Sequence, residues 1–287
     1  MHAPLTTFLP DYCAALRAAG RRPRGIEKYH HTMLRFIAWL GEGATQADIT
    51  AESIQRYQEQ LAARCSASTV CNALSTIRSF CRWSRRRGYR QDDPTEQAEW
   101  PRRRRPLPRP YTKREIGALL AALDGDDPVT RRNRRAVLLM LYAGLRISET
   151  AALEWRDIDL DHGELVVRDG KGGKMRRIPL HPRLRAELET VPVSERQPIR
   201  AVVGQPNGEP LTLKALGHVF DRWLRRRGII ATAHRLRHTF ATELLRNGAN
   251  IRYIQELLGH QDISTTEIYL GVYQDGLRDA IERLPTW

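Results

Sequence analysis

The stretch "EWPRRRRPLPRPY" constrains this chain more than any other. Between Pro101 and Pro110 it holds four prolines and five arginines. Proline removes a backbone donor and fixes φ, so no regular helix or central strand crosses the segment. Neighbouring guanidiniums repel and extend what is left. A chain of 287 residues interrupted in this way reads as two domains of ordinary size joined by a linker. The boundaries are residues 1–100, a basic Pro/Arg linker over 101–110, and residues 111–287.

The first domain reads as about four helices with no convincing strand. "RGIEKYHHTMLRFIAWLGE" places Ile26, Tyr29, Met33, Phe36, Ile37 and Leu40 on one face at spacings near one helical turn. "TAESIQRYQEQLAAR" opens with Thr50 as an N-cap and carries Ile54, Tyr57 and Leu61 in a stripe. "SASTVCNALSTIRSFCRWSRRRGY" is amphipathic and ends in basic residues before Gly88, as a helix C-terminus favours. "LPDYCAALRAAG" supplies the remaining helix. Beyond the linker, Thr112 and Glu115 form a capping-box pattern ahead of an apolar run. "RRAVLLMLYAGLRISETAAL" reads as a buried helix, a break at Gly144 and a second helix. "ELVVRDGKGGKMRRIPL" reads as strand, glycine-rich turn, strand. Helical patterns resume from "LTLKALGHVFDRWLRRRG". The fold class is therefore mainly α with a small β-sheet.

The partner class follows from charge. The formal net charge is +14 and the pI is about 10.2, with 47 lysines and arginines. Only five of these are lysine: Lys28, Lys113, Lys171, Lys174 and Lys214. Arginine codon bias accounts for the choice of arginine but not for the net charge. Guanidinium forks suit phosphate oxygens, and an excess of this size points to nucleic acid. A basic linker between basic domains fits a clamp on DNA phosphates. No apolar run is long enough to span a bilayer, and the N-terminus lacks a signal-peptide pattern. A cytoplasmic protein with no membrane contact is expected, nucleoid-associated when bound to DNA.

Several apparent motifs fail on spacing. Cys13, Cys65, Cys71 and Cys81 contain no Cys-x-x-Cys pair, which argues against zinc. "DIDLDHG" begins like a calcium loop at Asp157, Asp159 and Asp161, but its glycine falls late, at Gly163. Its twelfth position is Arg168 rather than glutamate. "DGKGGKM" lacks the Ser/Thr and the following helix of a nucleotide-binding loop. No metal and no cofactor are expected.

Four separated signals remain: Arg146 in "YAGLRISE", Lys171 in "DGKGGK", the "HRLRH" stretch with His234, Arg237 and His238, and "LLGHQDISTTEIYL" with His260 and Tyr269. Each has a plain structural reading. Arg146 suits an ion pair with Glu149, Lys171 a solvated turn, His234 and Arg237 a surface pair, and Tyr269 a core aromatic. Tyr273, one turn later, rivals Tyr269.

Together they specify a chemistry in which Tyr269 attacks a phosphodiester. A tyrosine with a pKa near 10 needs help to lose its proton. Arg146 and Arg237 supply bidentate donors to the oxygens that gain charge. His234 and His260 donate hydrogen bonds or shuttle the tyrosine proton. Lys171 serves as general acid for the leaving 5′-oxygen. Neither metal nor ATP is required, because the arginines stabilise the charge and the phosphotyrosine ester conserves the bond energy.

"YAGLRISETAALEWRDID", "GKGGKMRRIPL", "HRLRHTFATELLRNGANIRYIQELLGH" and "STTEIYL" resemble, in order and spacing, the motif boxes of the tyrosine recombinases, the phage-integrase and Xer-like group. The resemblance covers most of residues 110–287. Less specifically, "SASTVCNALSTIRSFCRWSRRRG" is similar to that family's N-terminal core-binding domain. The family fold is an N-terminal four-helix SAM-like core-binding domain followed by an α+β catalytic domain. By this resemblance Tyr269, not Tyr273, is the nucleophile, assisted by Arg146, Lys171, His234, Arg237 and His260. Glu149 matches the acidic position that buttresses the first arginine, and His238 a structural neighbour. One departure is "LGV" after the tyrosine, where relatives often carry Thr-His.

The resemblance implies a site-specific DNA recombinase that works through a 3′-phosphotyrosine intermediate and a Holliday junction. Its substrate is a double-stranded core site with inverted repeats. It assembles as a homotetramer on synapsed DNA and is a monomer off it. A paralogue or a DNA-bending protein is a candidate accessory. Integration or excision of an element is the first reading, and dimer resolution the alternative. A type IB topoisomerase-like enzyme and a non-catalytic DNA-binding protein stand as rivals. The tail, with Leu277, Ile281 and Leu284 in a stripe, is expected to dock as a helix on a neighbouring protomer or on its own domain.

Overall fold

A computed structural model of the chain describes residues 3–102, 109–168, 175–205, 207–260 and residue 266. It divides into two compact units, Met1–Arg105 and Pro106–Trp287. The linker expected over 101–110 falls mostly outside the described residues, as do Lys171, Tyr269 and the tail.

In the first unit, a 3₁₀ turn at Leu5–Phe8 leads into α1 (Leu9–Ala18), followed by α2 (Pro23–Leu40), α3 (Ala51–Ala62) and α4 (Ala67–Arg86). Local chemistry sets the ends. The Thr50 side chain accepts from the Ser53 N–H and Ser66 from the Thr69 N–H, satisfying donors that the first turn leaves open. Gly88, at φ +76°, lets the chain leave α4. Tyr12, Met33, Phe36, Ile54, Ile77 and Phe80 form a closed core. The Tyr12 and Phe80 rings meet edge to face at 5.2 Å, an arrangement aromatic quadrupoles favour.

The second unit is built around α6 (Pro128–Tyr142). Six successive residues, Ala136 to Leu141, are buried, so this stretch of helix is enclosed on every side. It is preceded by α5 (Lys113–Ala121), where Thr112 and Glu115 form the expected reciprocal cap. After Gly144 comes α7 (Ile147–Ala152). A three-stranded antiparallel sheet follows: β1 (Ile158–Asp159), β2 (Glu164–Val167) and β3 (Arg176–Pro179), in that order. β1 was not expected. Two residues are too few for alternation to show in a sequence.

Next are α8 (Pro182–Glu189) and α9 (Leu213–His218). α9 runs on through a wider π turn, Val219–Leu224, and a 3₁₀ turn, Arg225–Arg227. The last described helices are α10 (Ala233–Arg246), packed on α6, and α11 (Ile251–Leu258).

α10 is fixed to the start of this unit by one arginine. Arg235 donates from Nη2 to both Glu115 oxygens, at 2.7 and 2.9 Å. Its guanidinium lies 3.8 Å from the centre of the Tyr111 ring. The Tyr111 hydroxyl in turn accepts from the Thr232 N–H just before α10. A charge-assisted bidentate pair combined with a cation–π contact makes a rigid mount. The helix it holds carries His234, Arg237 and His238.

Candidate active site

Gly144 begins the construction. Its φ of +62° turns the chain sharply off α6, and its carbonyl oxygen accepts from Arg237 Nη1 at 2.6 Å. Two residues on, Arg146 caps α7. Its own N–H donates to Glu149 Oε2 at 2.8 Å, and its Nη1 to Glu149 Oε1 at 2.7 Å. The plain reading of Arg146 as an ion-pair partner and its reading as a site residue are thus one geometry, in which the carboxylate aims the guanidinium.

Glu149 has a second partner that sequence reasoning missed. Arg176, on β3, grips the same carboxylate from the other side, with Nη1 to Oε1 at 3.0 Å and Nη2 to Oε2 at 2.7 Å. A signal for it existed. Side chains alternate along a strand, and Ile178, two residues on, is buried, so Arg176 shares its inward face while Arg177 is exposed. An arginine on a buried face demands a carboxylate.

Burial alone would raise the Glu149 carboxyl. Hydrogen bonds from Arg176 and from the Arg146 backbone overcome that and hold it at about 2. The side chains of Glu149, Arg237 and Arg176 are 4%, 5% and 9% exposed, whereas Arg146 is 26% exposed.

The end of α11 closes the cluster. Gly259, at φ +62°, stops the helix in the left-handed conformation. Three consecutive carbonyl oxygens there each accept from a different arginine. Leu257 O takes Arg176 Nε at 2.8 Å, Leu258 O takes Arg237 Nη2 at 2.5 Å, and Gly259 O takes Arg146 Nη2 at 3.4 Å. Cations suit the negative end of a helix dipole.

His260 follows directly, with Nδ1 2.8 Å from the Thr266 hydroxyl. Thr266, within "STTEIYL", is fully buried. That contact sets the ring's orientation. On α10, His234 and His238 stand one turn apart with ring centres 4.2 Å from each other.

All three imidazoles are held below the usual histidine value. Burial and then Arg237 and Arg146 depress His260 to about 3. Burial, His234 and Arg237 take His238 to about 4. Burial, Arg237 and Arg146 lower His234. The site therefore presents neutral imidazoles beside three guanidiniums and one carboxylate. The excess positive charge suits a phosphate group.

Arg146, Glu149, His234, Arg237, His238 and His260 are thus brought together. Lys171 and Tyr269 lie outside the described residues.

Comparison with known proteins gives the class. The profile of the Phage integrase family matches residues 110–275, and that of the phage integrase N-terminal SAM-like domain matches residues 8–91. Tyrosine recombinase XerA of Thermococcus kodakarensis is 34% identical over 280 residues, covering 96% of this chain and 94% of the relative. Tyrosine recombinase XerD of Pseudomonas aeruginosa is 33% identical over 263 residues, covering 88% of each. A lambda integrase dimer bound to a COC′ core site superposes with a TM-score of 0.78 at 20% identity, covering 94% of this chain and 95% of that one. The Tn1549 transposon integrase in complex with a circular intermediate DNA gives 0.73 at 20% identity, covering 96% and 99%. These two likenesses show a shared fold. The chain belongs to the phage integrase family and is a tyrosine site-specific recombinase.

Proposed function

We propose that this recombinase cuts and rejoins duplex DNA through Tyr269. The tyrosine oxygen attacks phosphorus and forms a new P–O bond while the bond to the 5′-oxygen breaks. The tyrosine proton passes to a neutral imidazole, His234 or His260. Lys171 protonates the departing 5′-oxygen, which leaves as a hydroxyl. A 5′-hydroxyl of a second duplex then reverses the step, producing strand exchange and a Holliday junction.

The observation that carries this reading is the arginine cluster. Arg146 and Arg237 converge on one spot, with Glu149 behind them and His234 and His260 beside them. Two fixed guanidiniums supply charge to the non-bridging oxygens with no proton transfer of their own. A homotetramer on two synapsed core sites, assisted by a paralogue or a bending protein, is the assembly such strand exchange needs. Two DNA-gripping units on either side of a Pro/Arg linker, in a cytoplasmic, nucleoid-associated protein, complete the proposal.

A nicked suicide duplex tests it. Wild type is expected to trap a covalent protein–DNA adduct, and Tyr269→Phe to form none. An adduct that persists in Tyr269→Phe would overturn the assignment. Plasmid relaxation without recombinant product would favour the topoisomerase reading.

A further inference from the structure

We propose that Arg176 is a positioning residue for the cleavage step, locking Glu149 and the end of α11 into one rigid unit that sets where Arg146 and His260 stand. The inference rests on the cleavage reading above.

The geometry commits this side chain to Glu149 and to the end of α11. Three of its N–H donors are committed, two to Glu149 and one to Leu257 O. Its side chain is 9% exposed, and both of its Nη donors face one carboxylate. It stands on the strand that follows Lys171 in the sequence, and Gly259 lies against its guanidinium. A Cβ added at Gly259 would come 3.1 Å from Arg176 Nη1. Arg146 also reaches both anchors, Glu149 and Gly259 O, but it is the more exposed guanidinium and its bond to Gly259 O is long, at 3.4 Å. Arg176 holds both carboxylate oxygens with its fork and ties them through Nε to Leu257 O, next to the bond from Arg237 to Leu258 O.

Lysine does not substitute. It keeps the charge but lacks the planar fork that spans two oxygens and a carbonyl at once. Removing the fork leaves Glu149 to Arg146, and removes one of the three arginine ties on the α11 end that precedes His260.

The test is single-turnover cleavage of the suicide duplex by wild type, Arg176→Met and Arg176→Lys, with DNA affinity measured at fixed salt and folding checked by thermal melting. Arg176→Met is expected to slow adduct formation on the order of 10²-fold, the loss associated with a misplacement of about 1 Å. DNA affinity should change less than about threefold. Arg176→Lys should recover the melting temperature but not the rate, which keeps the test open if Arg176→Met folds poorly.

A second substrate carries a neutral methylphosphonate at the scissile position. It removes the charge that Arg146 and Arg237 neutralise, so the defect should shrink there. A variant damaged only in its fold would be slowed equally on both substrates. Wild-type rates in folded Arg176→Lys, or equal defects on the two substrates, overturn the inference. Failure of wild type itself to form the adduct refutes the cleavage reading instead.

Discussion

Gly144→Ala is expected to damage this protein twice over. At φ +62° a Cβ meets its own backbone, a strain of about 1–2 kcal/mol. The same Cβ would lie 2.5 and 2.7 Å from Cδ1 and Cε1 of Phe240. Moving a ring packed between α10 and its surroundings adds roughly 1–3 kcal/mol of overpacking. The sum, about 2–5 kcal/mol, is a large share of a typical domain's stability but leaves the protein folded. Urea denaturation measures it.

The two contributions separate in a Phe240→Ala background. There the clash disappears and Gly144→Ala should cost only the backbone strain of about 1–2 kcal/mol. Equal costs in both backgrounds would refute the argument from packing. Suicide-duplex cleavage should fall further than stability alone predicts. The Gly144 carbonyl holds Arg237, and Arg146 is two residues along.

Two further outcomes follow from the site. Thr266→Val keeps the shape of a fully buried side chain but removes the hydroxyl from His260 Nδ1. Stability should drop by about 1 kcal/mol while cleavage slows and its pH profile shifts. An unchanged profile would mean the contact does not orient the ring. Melting temperature should also depend on pH with a definite sign. His238 and His260 sit near 4 and 3 when folded, below the ordinary histidine value of 6.5, so the unfolded chain takes up protons first. Stability should hold above about pH 6.5 and decline as pH falls from there toward 4 and 3. Glu149, near 2 when folded against an ordinary value of 4.5, adds a loss between those limits. His238→Gln should reduce the dependence of melting temperature on pH between 4 and 6.5, leaving the share that His260 contributes.

What the sequence discloses here and what it hides divide along physical lines. Thr112 with Glu115, the Gly144 break, and Arg146 three residues before Glu149 are local relations, fixed by a few bonds of backbone, and they read directly. The one-turn spacing of His234, Arg237 and His238 is also local. Arg176 was missed because two adjacent arginines in an arginine-rich chain look like a solvated pair. Only the strand's alternation assigns one inward. The α11 carbonyls left no trace at all, since a backbone oxygen carries no residue identity. Thr266 looked like one more hydroxyl in a polar run. Its burial depends on packing around His260, which no spacing encodes.

The arginines of this protein fall into two populations. Arg134, Arg176 and Arg235 are matched to carboxylates at 2.7 Å, and each holds elements of the second unit together. Arg222, Arg225 and Arg226 are exposed and form no ion pair among the described residues. A polyanion releases counterions only to cations that are not already neutralised. The slope of binding against salt will therefore report far fewer contacts than the 47 lysines and arginines suggest. An arginine scan judged by affinity alone would mistake structural pairs for DNA contacts, because unfolding also abolishes binding. Salt slopes measured on variants shown to be folded would sort the two populations.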